Sequence, residues 1–222
     1  MSSPFVVAVV GTGTDVGKTH VSVSLVLALR AMGLVVDAWK PVASGVTEGV
    51  GDDAARLGAA VGAPPRAPAY VFLPPISPHL AARRAGVRLD PATLAASARA
   101  GGDVLVVETA GGLYSPLGDH ETNVELVRAL SPDVTLLVAS DRLGVLHDVL
   151  ATLRAAEADG VLVSAVALSA AETPDASSGS NAEELRARVG ARVFELPRAE
   201  AGAPTSVAAA GALARALWTM RP

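Results

Sequence analysis

The sequence predicts an α/β fold, a three-layer sandwich with a mostly parallel central sheet, and three observations carry that prediction. Several apolar runs lack the in–out alternation of a half-buried strand, the pattern expected of strands covered on both faces. Segments with apolar residues at helical spacing lie between them. The first apolar run also leads directly into a glycine-rich loop that opens the first of these helices.

Phe5 to Val10 is the first predicted strand, followed by Gly11-Thr12-Gly13-Thr14-Asp15-Val16-Gly17-Lys18-Thr19. Glycines allow successive backbone N–H groups to converge on one anion, and the next helix adds its positive N-terminal end. The loop approximates the G-x-x-x-x-G-K-[ST] pattern, with Thr12 where the first glycine would fall and glycines on either side of it. In that pattern Lys18 reaches the terminal phosphates and the Thr19 hydroxyl ligates Mg²⁺. A strand before the loop and a helix after it are the context such a motif needs, so the sandwich is of the phosphate-loop NTPase type.

Val21, Leu25, Ala28, Leu29 and Met32 form one apolar helix face that Gly33 ends. Leu34 to Trp39 is the second strand, and Lys40 to Gly45 a turn-rich stretch at its carboxyl end, where open α/β sheets bind ligands. The loop from Thr47 leads to a helix starting near Asp53, with Asp52 or Asp53 expected as its N-cap. Residues 63–100 read as a proline-rich insertion covering the site, with short helices over Leu80 to Ala85 and Pro91 to Ala100, inside a single domain spanning 1–222. Asp103 to Val107 is a buried strand closing on Glu108, the position where phosphate-loop enzymes place a second metal anchor. Thr109-Ala110-Gly111-Gly112-Leu113 follows, its paired glycines suited to backbone passing close to a ligand. Val134 to Ala139 is the next strand and Leu146 to Ala156 its helix; Val161 to Leu168 is a strand, then a loop from Ala171 to Ser180. Asn181 is expected to cap a helix through Val189, before a short strand over Arg192 to Leu196 and a terminal helix over Val207 to Met220.

Composition narrows the function classes. Half of the 222 residues are apolar, enough for one substantial core. Cysteine is absent, which excludes disulfides, thiol nucleophiles and thiolate metal sites and fits a cytoplasmic protein. The N-terminal apolar run is six residues without a basic lead, unlike a signal peptide, and no run approaches a membrane span. A net charge of −4 with 3% aromatic residues is wrong for a nucleic-acid surface. Sixteen of the 18 basic side chains are arginine; the two lysines are Lys18 and Lys40. Where arginine serves for any solvated cation, the two lysines stand where a compact ammonium does what a planar guanidinium cannot. The four histidines, His20, His79, His120 and His147, have no metal-ligand spacing, and no G-x-S-x-G turn is present.

Taken together, the Gly11–Thr19 loop, Lys40-Pro41-Val42-Ala43-Ser44-Gly45, Asp53, Ser77-Pro78-His79, Val107-Glu108-Thr109-Ala110-Gly111-Gly112 and Ser115-Pro116-Leu117 resemble the dethiobiotin synthetase family. The agreement in order and spacing runs through Leu117, with later echoes at Leu143-Gly144 and Phe194-Glu195-Leu196-Pro197. The resemblance implies a homodimeric enzyme that makes a cyclic urea from 7,8-diaminononanoate, CO₂ and ATP with Mg²⁺, in biotin biosynthesis. It implies that Lys18 holds the β- and γ-phosphates and that Lys40 sits between a substrate carbamate and the γ-phosphate, these two being the catalytic lysines. Thr19, Asp53 and Glu108 would hold or orient Mg²⁺, and Ser44, Thr14 and Gly112 would contact the substrate. The nucleotide would lie on Gly13, Thr14, Asp15, Val16, Gly17, Lys18, Thr19 and His20, with Asp53, Glu108, Gly111, Pro197, Arg198 and Ala199. Three places depart from the family's usual residues. Thr109 replaces a glycine and would be strained if that position needs positive φ; His147-Asp148 replaces an Asn-His pair; and Leu168-Ser169 replaces an adenine-reading Asn-Asp. The alternatives are a phosphate-loop switch or partitioning ATPase, which would carry a lysine where Gly13 stands, and a corrinoid-type amide ligase, which needs a glutaminase cysteine.

Overall fold

The computed structural model describes residues 3–98, 101–198 and 204–221. A six-stranded sheet runs in the order β2-β5-β1-β6-β7-β8, parallel at every pairing. Its strands are β1 (Phe5–Gly11), β2 (Val36–Trp39), β5 (Val104–Glu108), β6 (Val134–Asp141), β7 (Ala165–Ala170) and β8 (Arg192–Leu196). Alternate residues of the central strand face opposite layers. Val7 and Val9 pack under α1 (Lys18–Ala31), α2 (Asp52–Val61) and α8 (Pro204–Trp218) through Val21, Leu25, Leu57 and Leu213. Ala8 and Val10 pack under α5 (Asn123–Leu130), α6 (Val145–Ala158) and α7 (Asn181–Arg186) through Val124, Val149 and Leu185. Both faces are therefore covered, which is why β1 reads as an unbroken apolar run.

The insertion builds a small annex. β3 (Val42–Ser44) pairs in parallel with β4 (Tyr70–Phe72), and α3 (Pro78–Ala85) and α4 (Pro91–Ser97) close a separate cluster around Val42, Phe72, Ala82, Leu89 and Leu94. Both short strands fall where the sequence predicted a turn and a proline-rich loop. Tyr70 and Phe72 have strand character, but the prolines on either side conceal it.

Other expectations are corrected. Neither Asp52 nor Asp53 is the N-cap of α2: Gly51 holds that position at φ 85°, and both acids lie in the first turn. Asn181 begins α7 instead of capping it, because its side-chain amide donates to Asp141 Oδ1 at 2.7 Å, and the helix ends at Arg186. β7 starts at Ala165 and not Val161: the Val161 N–H returns to the Ala156 carbonyl, so the chain is still leaving α6 there. β2 begins at Val36, two residues later than expected. The sequence reading missed α5 altogether, although Thr122 and Glu125 form a capping box at its start, a signal visible in the sequence.

A candidate nucleotide-binding active site

The candidate site stands at the carboxyl ends of β1, β2 and β5, neighbours in the sheet. The phosphate loop leaves β1 at Gly11 and passes through Asp15 at φ 56° and Gly17 at φ 92° before α1 begins at Lys18. No side chain caps α1 and no acid lies in its first turn, so its leading N–H groups are left for an anion. A Cβ on Gly17 would stand 2.2 Å from Ser169 Oγ, so only glycine fits between the loop and β7. On the opposite side, a Cβ on Gly112 would come within 3.1 Å of the Gly13 nitrogen, so this second glycine loop lies against the first.

Four charged side chains converge beneath the loop. Lys40, at the tip of β2, donates from Nζ to Asp53 Oδ2 at 2.6 Å and to Glu108 Oε1 at 2.7 Å. The Thr19 hydroxyl lies 2.6 Å from Asp53 Oδ1 and 2.9 Å from Glu108 Oε1, and its one proton satisfies one of them at a time. Lys18 turns back to donate to the Gly13 carbonyl at 2.8 Å. Glu108 is wholly buried, and its Oε2 has no hydrogen-bond partner among the described residues. Burial works against the Lys40 charge, but Glu108 and Asp53 outweigh it and hold its pKa above the ordinary value. Lys18 goes the other way: burial, and then the Lys40 charge, bring it down to about 8 against the pull of Glu108, Asp53 and Asp15. Burial opposes the Asp53 charge too, yet Lys40 and the Thr19 hydroxyl keep its pKa low.

A cavity of about 830 Å³ opens over this cluster. Its lining includes Thr14, Asp15, Gly17, Thr19 and His20, with Asp53, Glu108, Gly111, Ser44 and Arg198. Gly13, Val16, Gly112 and Pro197 do not line it. The Val16 side chain is in the core, and the Pro197 carbonyl accepts from His20 Nε2 at 3.1 Å. Burial lowers the His20 pKa, the bond to Pro197 opposing it and Arg198 and Arg56 reinforcing it. Ala199 lies outside the described residues. None of the described residues of 63–98 lines the cavity; that segment supports β3 from beside it. Thr47, Glu48, Asp52, Arg56 and Glu172 line it without having been singled out. Arg56 was within reach of sequence reasoning, three residues beyond Asp53 on the same helix face.

The departures have definite placements. Thr109 has no positive φ; its N–H and hydroxyl both donate to the Val9 carbonyl, so the expected strain is absent. Leu168 is a core side chain, and Ser169 is buried against Gly17.

A phosphate loop between β1 and α1, with two carboxylates and two ammoniums gathered at its base on a parallel sheet, defines a phosphate-loop NTPase. The family model described as an AAA domain matches residues 6–201. Three curated relatives share the name ATP-dependent dethiobiotin synthetase. The protein from Caulobacter sp. (strain K31) is 43% identical over 204 residues, covering 86% of this chain and 87% of that one. The one from Aromatoleum aromaticum is 36% identical, covering 94% and 97%, and that from Rhodopirellula baltica is 38% identical, covering 80% and 78%. The chain belongs to the ATP-dependent dethiobiotin synthetase family.

Proposed function

We propose that this chain condenses 7,8-diaminononanoate with CO₂ at the expense of ATP, closing the cyclic urea of dethiobiotin in biotin biosynthesis. The observation carrying this reading is Lys40, an ammonium beside two carboxylates, in one cavity lined also by the phosphate loop and by Ser44 of β3. Carbamate and triphosphate are both anions and repel. An enzyme joining them must neutralise that charge and hold the attack in line.

In the proposed sequence a substrate amine adds to CO₂ and loses a proton, giving a carbamate. A carbamate oxygen attacks the γ-phosphorus and ADP departs. The second amine then attacks the carbonyl carbon, phosphate leaves and the ring closes with loss of a proton. Lys18 and the N–H groups at the start of α1 hold the β- and γ-phosphates, with Gly13, Thr14, Asp15, Val16 and Gly17 as the cradle. Lys40 bridges the carbamate and the γ-phosphate. Thr14 and Ser44 orient the diamine, while His20, Gly111 and Arg198 flank the nucleotide.

The donor set fits Mg²⁺: a hydroxyl and two carboxylates converge, and the buried Glu108 Oε2 has no hydrogen-bond partner among the described residues. Thr19, Asp53 and Glu108 would hold the ion, which would neutralise triphosphate charge. We place the enzyme in the cytoplasm as a homodimer. Support comes from the family resemblance, the absence of cysteine, and the described helices, none of which is long and apolar enough to cross a membrane.

ADP release from the purified chain should require both the diamine and bicarbonate, with dethiobiotin formed in step. Equal turnover without the diamine would favour a switch ATPase. Glu108→Gln should raise the Mg²⁺ concentration for half-maximal turnover by ~10-fold or more, since a neutral amide replaces a charged oxygen donor. An unchanged Mg²⁺ titration would return Glu108 to a structural role.

A further inference from the structure

Both lysines are turned inward. Lys40 occupies the space between the two carboxylates, and its side chain is only 7% exposed. Lys18 is bonded to its own loop's carbonyl at Gly13. A free divalent cation entering this cradle must expel Lys40 from two charge-assisted bonds, and none of the other acids lining the cavity, Asp15, Glu48, Asp52 and Glu172, is bonded to it. A cation arriving on a triphosphate brings phosphate oxygens that can accept Lys40 and Lys18 as they leave.

We infer that Lys40 is the resident counter-ion of the empty metal cradle, and that this makes the site selective for a metal–nucleotide complex over the free divalent cation. The lysine is released toward the phosphates only when cation and triphosphate enter together. Its two roles therefore follow in order: it neutralises Asp53 and Glu108 at rest, then the reacting anions once the cradle is filled. This rests on the assignment of Thr19, Asp53 and Glu108 as the metal cradle.

The test is Mn²⁺ binding to the nucleotide-free protein, read from the electron paramagnetic resonance signal of free Mn²⁺, for wild type and Lys40→Gln. Lys40→Gln should bind Mn²⁺ at least tenfold more tightly than wild type, and a non-hydrolysable β,γ-methylene triphosphate should narrow that gap. Equal affinities without nucleotide would overturn the inference and leave the cradle assignment standing. Failure of both proteins to take up Mn²⁺ even with the analogue would overturn the cradle assignment, and the inference with it. Should Lys40→Gln not fold, ¹⁵N-lysine labelling of the wild type supplies the answer, because the sequence contains only Lys18 and Lys40. The Lys40 ammonium resonance, assigned with Lys18→Arg, should stay in place on adding Mg²⁺ alone and move on adding Mg²⁺ with the analogue. A Lys40 resonance that moves equally with Mg²⁺ alone, or stays put with both, would overturn the inference.

Discussion

Lys40→Arg is expected to lower dethiobiotin formation by on the order of 10²- to 10³-fold, while ATP affinity stays within about threefold of wild type. The charge is conserved, so a role in bulk electrostatics alone predicts almost no effect. Geometry predicts a large one. A lysine ammonium is a compact point charge with three donors, able to leave two carboxylates and bridge two reacting anions. A guanidinium is a planar fork that pairs bidentately with carboxylates, and Asp53 and Glu108 present that target in a buried site. Arginine there is too wide for the proposed gap between carbamate and γ-phosphate. Product formation and equilibrium ATP binding, measured on the same preparation, separate the two effects. Turnover within threefold of wild type would remove Lys40 from the chemistry.

Gly17→Ala should be the most damaging small substitution in the phosphate loop. The added methyl would lie 2.2 Å from Ser169 Oγ and 2.6 Å from Ser169 Cβ, and the φ of 92° disfavours any side chain. Overlap and strain together should cost about 3 kcal/mol or more, lowering the melting temperature by roughly 6–12 °C and abolishing measurable nucleotide binding. Adding Ser169→Gly removes the steric partner and should restore the larger part of the stability, leaving about 1–2 kcal/mol of backbone strain. A single variant that melts within about 2 °C of wild type would show that loop and strand are not in contact.

Where the sequence spoke clearly, one physical cause acted alone. β1 and β5 were legible because strands buried on both faces must be apolar throughout, and the phosphate loop because its glycines meet a local backbone demand. Lys18, Lys40 and Glu108 were each legible singly as residue types at strand tips and a helix start, whereas Asp53 read alone as a helix cap and entered the site only through the family resemblance. The meeting of Thr19, Lys40, Asp53 and Glu108 within 2.6–2.9 Å was not, because a 68-residue separation between Lys40 and Glu108 is closed by tertiary structure. The same limit hid Glu172, which reaches the cavity from the loop after β7. Ser169 shows the converse: its position was flagged as a departure, but only the fold reveals that its hydroxyl lies against the loop glycine. β4 was missed because flanking prolines signal a loop more strongly than three residues can signal a strand.

The annex around Val42 and Phe72 has its own apolar centre, which takes in Leu126 of α5 but none of the side chains packed under α1. It carries β3, and with it Ser44, a proposed diamine contact, while Lys18, Thr19 and Glu108 stand on the large sheet and the helix it supports. Of the proposed diamine contacts, Ser44 thus rests on the annex and Thr14 on the phosphate loop of the large sheet. Substitutions around Val42 and Phe72 would therefore shift Ser44 while leaving the layer under Lys18 and Thr19 in place.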